Sequence, residues 1–103
     1  MTEEMKKAER SRIQIASEVS RGDKLGIRTK IIRHILESPT RRSYLSEMAG
    51  TLGFTRRTLL LHLAYLVDKG ILSSEYETVP IGEEHRPVVI KWYRVKKEYE
   101  FLR

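Results

Sequence analysis

A helical pattern that begins at Thr55 and ends at Gly70 constrains this chain more than any other part of its sequence. A threonine can cap the free amides of a first helical turn, and glycine is the residue type that most readily ends a helix. Just upstream, Gly53 follows a shorter helical pattern and can supply a turn. Arg56 and Arg57 occupy the first turn of the second helix. The order predicted is a helix, a tight turn and a second helix with a basic leading end.

The second of these helices has two distinct faces when its residues are placed at about 100° per residue. Leu59, Leu63 and Leu66 fall together with Gly70 on one face, which we expect to meet the core. Arg56 and Leu60 flank that face. The opposite face carries Arg57, Thr58, Leu61, Ala64 and Tyr65.

Three helical patterns precede Thr55, and the third of them is the shorter helix of this pair. The first covers residues 1–22, with Thr2 as a cap and Gly22 as its end, and Asp23 can cap the next helix. The second runs over residues 24–38 and stops at Ser38, because the residue before a proline avoids the helical region. The third runs from about Ser43 to Thr51, with Leu45, Met48 and Leu52 facing inward. The apolar stripe on the first helix is narrow, and most of its residues are small: Met5, Ala8, Ile15, Ala16 and Val19.

The pattern changes after Gly70 to a period of two, which is typical of a strand. Residues 80–87 form a polar loop, and the β-branched and aromatic run from Val88 to Val95 predicts a second strand. Together they predict a β-hairpin. Residues 96–103 carry Tyr99, Phe101 and Leu102 and predict a short helix or tail. The fold class expected is therefore mainly α with a small β-hairpin (α+β).

Length and composition narrow the class of protein further. A chain of 103 residues is one domain with a modest core. It has no cysteine, which excludes disulfides and cysteine-based zinc sites, and its first residues lack the apolar run of a signal peptide. We expect a soluble cytoplasmic protein without a membrane segment. The absence of Asn, with a single Gln and 33% charged residues, suggests a thermophile, for which chance in a short chain is the alternative.

Charge is concentrated in the middle of the chain. Residues 21–62 hold nine basic and three acidic side chains, whereas the segments before and after them are each balanced. The whole formal excess of +6 therefore belongs to one module. Such a concentration is the electrostatic footprint of a polyanion-binding surface. The alternative is a basic face that is simply solvated.

The sequence resembles the winged helix-turn-helix domain, and most closely the small ArsR- and MarR-like transcriptional regulators. The resemblance is carried by Glu47–Ala49, Leu52–Thr55, His62–Leu66 and Gly70–Leu72, followed by the predicted hairpin. It covers residues 24–95. Small amide-poor winged helices of this type resemble those of archaea and their viruses.

The resemblance implies a homodimer that binds double-stranded DNA in a sequence-specific way and regulates transcription. Residues 55–69 would be the recognition helix in the major groove, and residues 72–95 the wing on the backbone or in the minor groove. The three parts of the chain are then residues 1–22, 23–95 and 96–103. The first and last of these would form the dimer, although the first helix packing on its own domain is an equal alternative.

Several residue types predict how DNA would be contacted. Arg57 can bond guanine in a bidentate way, and Leu61 can meet a thymine methyl group. Arg41, Arg42 and Ser43 lead a helix N-terminus, where anions bind. The wing would contribute one arginine to the minor groove and one lysine to the backbone. The predicted DNA contacts are Arg41, Arg42, Ser43, Thr55, Arg56, Arg57, Thr58, Leu61, Tyr65, Arg86 and Lys91.

Other interpretations of these residues remain open at this point. Arg56 and Arg57 could be solvated first-turn residues, and Leu60 and Leu61 could be covered by the wing or by a partner protein. The chain could also coat DNA without sequence preference, or be a winged helix that binds proteins. The histidines lack metal-ligand spacing, so neither a cofactor nor metal sensing is expected. No arrangement of catalytic residues is visible, and we expect no enzyme.

Overall fold

Three complete α-helices, a 3-10 helix and a long hairpin are the main elements of the computed structural model of the chain, which describes residues 12–15, 17–18, 21, 23, 26–81 and 86–102. The two strands pair antiparallel, which confirms the predicted mainly α class with a small β-hairpin. Helical residues also precede the first complete helix, at 12–15, 17, 18 and 21. The elements in chain order are α1 (Ile27–Glu37), α2 (Leu45–Leu52), α3 (Arg56–Asp68), β1 (Leu72–Ile81), β2 (Arg86–Val95) and a 3-10 helix (Lys97–Leu102).

One apolar core joins the three helices to the base of the hairpin. Leu59, Leu63 and Leu66 of α3 have no exposed surface, which confirms the predicted core face of that helix. Full burial of such a side chain stabilises the fold by about 1.5–3 kcal/mol. Fourteen buried side chains form the cluster: Ile27, Ile31, Ile32, Ile35, Leu36, Met48, Leu59, Leu63, Leu66, Ile71, Leu72, Tyr93, Val95 and Tyr99.

The start of α1 is set by Gly26 and Asp23 together. Gly26 has φ 66°, a left-handed conformation that glycine adopts without steric cost, so the helix begins at Ile27 and not near residue 24 as predicted. The carboxylate of Asp23 accepts the backbone N–H groups of Arg28 at 2.9 Å and of Thr29 at 3.0 Å. The predicted capping role of Asp23 is thereby confirmed.

These hydrogen bonds also decide the ionisation of Asp23. Partial burial of the carboxyl group would by itself raise its pKa, because burial disfavours the charged form. The N–H groups of Arg28 and Thr29 and the Thr29 hydroxyl stabilise the carboxylate and outweigh that effect, so the pKa of Asp23 is lowered. The cap is therefore at full strength at neutral pH.

The connection between α2 and α3 has the turn chemistry predicted for it. Gly53 ends α2 in a left-handed conformation, with φ 76°. Thr55 begins α3, and its hydroxyl oxygen accepts the backbone N–H of Thr58 at 3.2 Å. Both positions therefore hold the residue type that their backbone geometry requires.

The start of α2 differs from the prediction by two residues. Ser43 was expected to open the helix, but it lies in an isolated β-bridge with Tyr93. The Ser43 N–H donates to the Tyr93 carbonyl at 3.1 Å, and the Tyr93 N–H donates to the Ser43 carbonyl at 2.8 Å. Since both backbone groups of Ser43 are used, the chain stays extended there and the helix starts at Leu45.

The hairpin is longer than predicted, because both prolines of the expected loop lie within strands. Pro80 and Pro87 face each other in the register, with Ile81 opposite Arg86 beyond them. The backbone groups of Tyr93 point outward to Ser43, and every second residue of β2 shares that direction. Pro87 is one of them, so its missing N–H removes no hydrogen bond of the ladder. A proline at such a position is compatible with a strand.

The chain segments on either side of this fold pack against it. The 3-10 helix buries Tyr99 in the core, which agrees with the short C-terminal helix predicted, and leaves Phe101 exposed. At the other end, Ile15 packs against the core and Glu18 lies 3.7 Å from the Lys69 ammonium. The other residues of the predicted N-terminal stripe, and its proposed cap and end, lie outside the described residues: Thr2, Met5, Ala8, Ala16, Val19 and Gly22.

Replacing the capping carboxylate of Asp23 should make the free energy of unfolding less dependent on pH in the acidic range. Asp23→Ala should lower the free energy of unfolding at neutral pH by about 1 kcal/mol, because two free amides lose their acceptor. The folded-state pKa is below the ordinary value of about 3.9, so the contribution is present above that pH and disappears as the pH falls through the folded-state pKa. Urea unfolding of both proteins between about pH 7 and about pH 3 measures this. A difference between the two proteins that stays constant across the range would contradict the assignment.

Candidate nucleic-acid interface

The side of α3 that points away from its buried leucines is open to solvent. Leu61 is 68% exposed, and Ala64 is exposed one turn further along. Arg57 is exposed and makes no hydrogen bond or ion pair with any described residue. The helix α3 thus holds the Arg57 guanidinium, which no described residue pairs with, beside the exposed Leu61, where a ligand can reach both.

The N-termini of α2 and α3 lie side by side. The Arg56 guanidinium donates a hydrogen bond to the Ser46 hydroxyl at 3.0 Å, which links the first turns of the two helices. Each first turn presents free N–H groups and the positive end of a helix dipole. Together with Arg56, this arrangement favours an anion. Ser46 was not among the predicted contacts, because its partner Arg56 lies ten residues further along the chain and only the fold brings the two together.

Arg41 occupies a strained position in the turn between α1 and α2. It ends the turn that follows α1, where its N–H donates to the Ser38 carbonyl at 3.0 Å, and its φ of 58° is left-handed. Such a conformation costs a side chain other than glycine about 1–2 kcal/mol. The Arg41 side chain is exposed. An arginine retained where glycine would fit better is compatible with a binding role.

Arg42, although next in sequence, is held by the hairpin. Its guanidinium lies 3.9 Å from the centre of the Trp92 ring, and it pairs with Glu77 at 2.9 Å and with Glu75 at 3.7 Å. Only 23% of its side chain is exposed. The Trp92 ring is in turn packed edge-on against Tyr44 at 5.1 Å. Arg42 therefore attaches the hairpin to the helical part, and its charge is already balanced.

Ser43 is fully buried and presents no surface to a ligand. Its hydroxyl donates to the Glu47 carboxylate at 2.8 Å and lies 2.9 Å from Nε2 of His34. These contacts tie the N-terminal half of α2 to α1. The role predicted for Ser43 as a phosphate contact is replaced by a structural one.

Three further residues of the predicted set make side-chain contacts within the chain. The Thr55 and Thr58 hydroxyls are 2.9 Å apart, next to the cap of α3. Tyr65 is half-buried, and the Arg28 guanidinium covers its ring at 3.8 Å. Arg28 also donates to Nδ1 of His62 at 3.2 Å, so this flank of α3 faces α1. The Tyr65 ring thus lies beside the outward face of α3 and not at its centre.

The hairpin carries the two remaining predicted contacts at separate places. Arg86 is exposed at the start of β2, near the tip. Lys91 is exposed halfway along β2, with its ammonium 5.4 Å from the ring centre of Tyr93 and 5.6 Å from that of Tyr76. The nearby Tyr93 phenol raises the pKa of Lys91, partial burial opposes this, and Tyr76 adds to the rise. Lys91 is therefore a cation throughout the physiological range.

The described carboxylates near the interface are mostly engaged with other groups. Glu75 and Glu77 pair with Arg42 and Arg94 on the hairpin, and Glu47 is bound to Ser43. Because Glu75 and Glu77 are already paired with arginines of the chain, these two acids do not cancel the positive charge around α3. The described arginines without a described acidic partner on α1, α3 and the turn between α1 and α2 are Arg33, Arg41, Arg56 and Arg57.

Comparison with known proteins adds no assignment to this geometry. No protein-family model matches the sequence, and no curated protein matches it significantly. Within the described part of the chain, no group of three or more histidine, cysteine or acidic side chains is placed to hold a metal ion. The helices of that part are also too short or too polar to cross a membrane.

The two adjacent arginines before α2 should respond differently to truncation. Arg42→Ala should lower the free energy of unfolding by about 1–2 kcal/mol, because the contact with Trp92 and the pairing with Glu77 are lost. Arg41→Ala should change it by less than about 0.5 kcal/mol, since the side chain is exposed. Urea unfolding at neutral pH measures both. Equal losses for the two variants would contradict this distinction.

Proposed function

We propose that the protein binds double-stranded DNA through a winged helix-turn-helix, with α3 in the major groove. The observation that carries this proposal is the outward face of α3, where Arg57 and Leu61 are exposed next to the paired helix N-termini. A helix is the element that fits the major groove, and its N-terminal residues are the ones that reach base edges. The excess of basic residues within 21–62 supports the same assignment.

The contacts divide into those that read bases and those that hold phosphates. Arg57 bonds guanine O6 and N7, and Leu61 packs on a thymine methyl group. Arg56 and Ser46 bind one phosphate at the N-termini of α2 and α3. Arg41 binds a second, which accounts for an arginine at a left-handed position. Phosphate contacts position the protein, and the contacts of α3 specify the sequence.

The hairpin acts as the wing in this proposal. Lys91 lies against the DNA backbone, and Arg86 near the tip enters the minor groove. By its resemblance to the ArsR- and MarR-like regulators, the chain binds a two-fold-related site as a homodimer, in which the N-terminal segment and the 3-10 helix supply the dimer contacts. We infer that the biological role is regulation of transcription.

A second candidate function is binding to another protein, and the exposure of apolar residues on α3 favours it. Leu60 is 47% exposed and Leu61 is 68% exposed, and adjacent exposed leucines are typical of protein interfaces. A protein-binding winged helix would not be retained on DNA at low ionic strength, whereas the proposed function requires retention that falls steeply with salt.

Removing the base-reading arginine should relax sequence preference. Arg57→Ala should weaken binding to a site selected from a random DNA pool by about 1–3 kcal/mol and should weaken binding to random DNA much less. Arg41→Ala should weaken both kinds of DNA alike, because a phosphate contact carries no sequence information. Gel-shift titrations at fixed salt concentration measure both, and Arg33→Ala on α1 controls for the loss of one positive charge. If Arg57→Ala and Arg41→Ala reduce selected and random binding in the same proportion, the assignment of roles is wrong.

The same selected site separates a regulator from a protein that coats DNA. Unlabelled random duplex should compete poorly against the selected site, by a factor of about 10³ or more at physiological salt. Affinity should fall about 10³–10⁵-fold between roughly 50 and 200 mM salt if six to ten phosphates are contacted. Equal competition by both duplexes would indicate an architectural protein. Absence of binding to either would leave the protein-binding function.

A further inference from the structure

One edge of β2 has backbone groups that no described residue uses. The bridge between Ser43 and Tyr93 occupies this edge at one point only, and the chain then turns away into α2. Alternation along the strand directs the N–H and C=O groups of Lys91 and Val89 to the same edge. These four groups continue the line of the Ser43 bridge without a partner among the described residues. An open edge of this kind is a template for an added strand.

An apolar groove lies directly beside that open edge. It runs between β2 and the first turns of α2 and α3, and its volume is about 420 Å³. Leu45 and Leu60 form one wall, and Val89 forms part of the other and is 61% exposed. A groove of this size receives one or two apolar side chains, since binding pockets range from about 300 to 1,000 Å³. The open edge and the groove thus make one surface, with hydrogen bonds for a backbone and space for its side chains.

The charge of the groove indicates the partner. Among the described residues of its lining, Lys91 is the single charged one. The Lys91 ammonium has aromatic neighbours but no described acidic partner. A segment that places an acidic residue near Lys91 would gain an ion pair there.

We propose that this surface binds an extended segment of another protein, in which an apolar residue is flanked by acidic ones. The segment adds a strand to β2 by pairing with Lys91 and Val89, sets its apolar side chain between Leu45 and Leu60, and brings a carboxylate to Lys91. This is recognition by strand addition, where the backbone supplies affinity and the pocket supplies selectivity. The inference does not rest on DNA binding.

A second copy of this chain fits the surface less well. Antiparallel pairing of β2 with itself about Val89 would place Lys91 opposite Pro87 of the other copy. Pro87 has no N–H, so a hydrogen bond would be lost on each side of the pair. An acidic segment without a proline at that position loses no such bond, and its carboxylate can pair with Lys91.

A display library of random peptides of about eight residues, long enough to cover the open edge, tests the proposal on the full chain. We expect enrichment of peptides in which an apolar residue has acidic neighbours. The tightest of them, made synthetically, should shift the backbone amide NMR signals of Val89 and Lys91. It should also change the fluorescence of Trp92, the single tryptophan, which packs on the groove residue Tyr44. No enrichment, or shifts confined to other regions, would overturn the proposal.

A pair of proline variants separates the two edges of the hairpin. Val89→Pro removes one N–H from the open edge of β2, at a position equivalent to that of Pro87, so no bond between the strands is lost. It should weaken the peptide at least about fivefold. Thr78→Pro, directly opposite Val89 in the register, removes the corresponding N–H from the far edge of β1 and should leave affinity within about twofold. Equal weakening by both variants would refute binding at the β2 edge.

Two further measurements keep the test decisive if a proline variant unfolds. An ester in place of one edge-bonding amide of the peptide leaves the protein unchanged and should weaken binding about fivefold. Lys91→Glu should weaken the acidic peptide and favour one with lysines in place of its acids. Light scattering of the chain without peptide should detect no self-association through this edge, that is, none that is lost in the Val89→Pro variant. If such association is found, the occupant is a second copy and the proposal fails.

Discussion

The pair of backbone hydrogen bonds between Ser43 and Tyr93 is the constraint on which the rest of the structure depends. They add a backbone link between the hairpin and the helical part and keep the chain extended up to the start of α2. They also place Arg42 over the Trp92 ring and bury the Ser43 hydroxyl against Glu47. A two-stranded sheet is marginal in water by itself, so the hairpin depends on this link and on the core that it shares with the helices.

The bridge has a second consequence, which concerns what the hairpin leaves open. The bridge uses the outward backbone groups of Tyr93 and leaves those of Lys91 and Val89 without a partner among the described residues. It also holds β2 close enough to α2 and α3 to form the groove in which Leu60 is a wall. The groove and the exposed arginine of α3 therefore arise from the same arrangement of elements. They serve different chemistry, since Arg57 suits an anionic ligand and the groove suits an apolar side chain next to an open strand.

Much of the local structure could be predicted, because it depends on single residues. Gly53 ends α2 and Thr55 caps α3, each by its own conformational preference or hydroxyl group. The leucines of α3 that are buried were identified from periodicity alone. The prolines of the hairpin were misassigned to a loop, because proline is excluded from a strand only where its N–H would be needed. Whether the N–H is needed depends on the register in which β1 and β2 pair, and this register could not be predicted from the sequence.

The candidate site divides in the same way. Exposure of Arg57 and Leu61 follows from the wheel of α3, and the structure agrees. Arg41 and Arg42 are indistinguishable in sequence, yet one is exposed and the other is paired with Glu77 and stacked on Trp92.

By itself, the amino-acid sequence determined the class of fold, the cap of α3 and the turn before it, the inward faces of α2 and α3 and the location of the excess positive charge. These features arise from neighbours a few residues apart, whose spacing is fixed by the geometry of the helix or the strand. Only the tertiary structure decided which arginines pair with carboxylates, that Ser43 is buried and that one edge of β2 lacks a partner among the described residues. Each of these depends on partners dozens of residues away, such as Tyr93 for Ser43, and only folding brings such partners together.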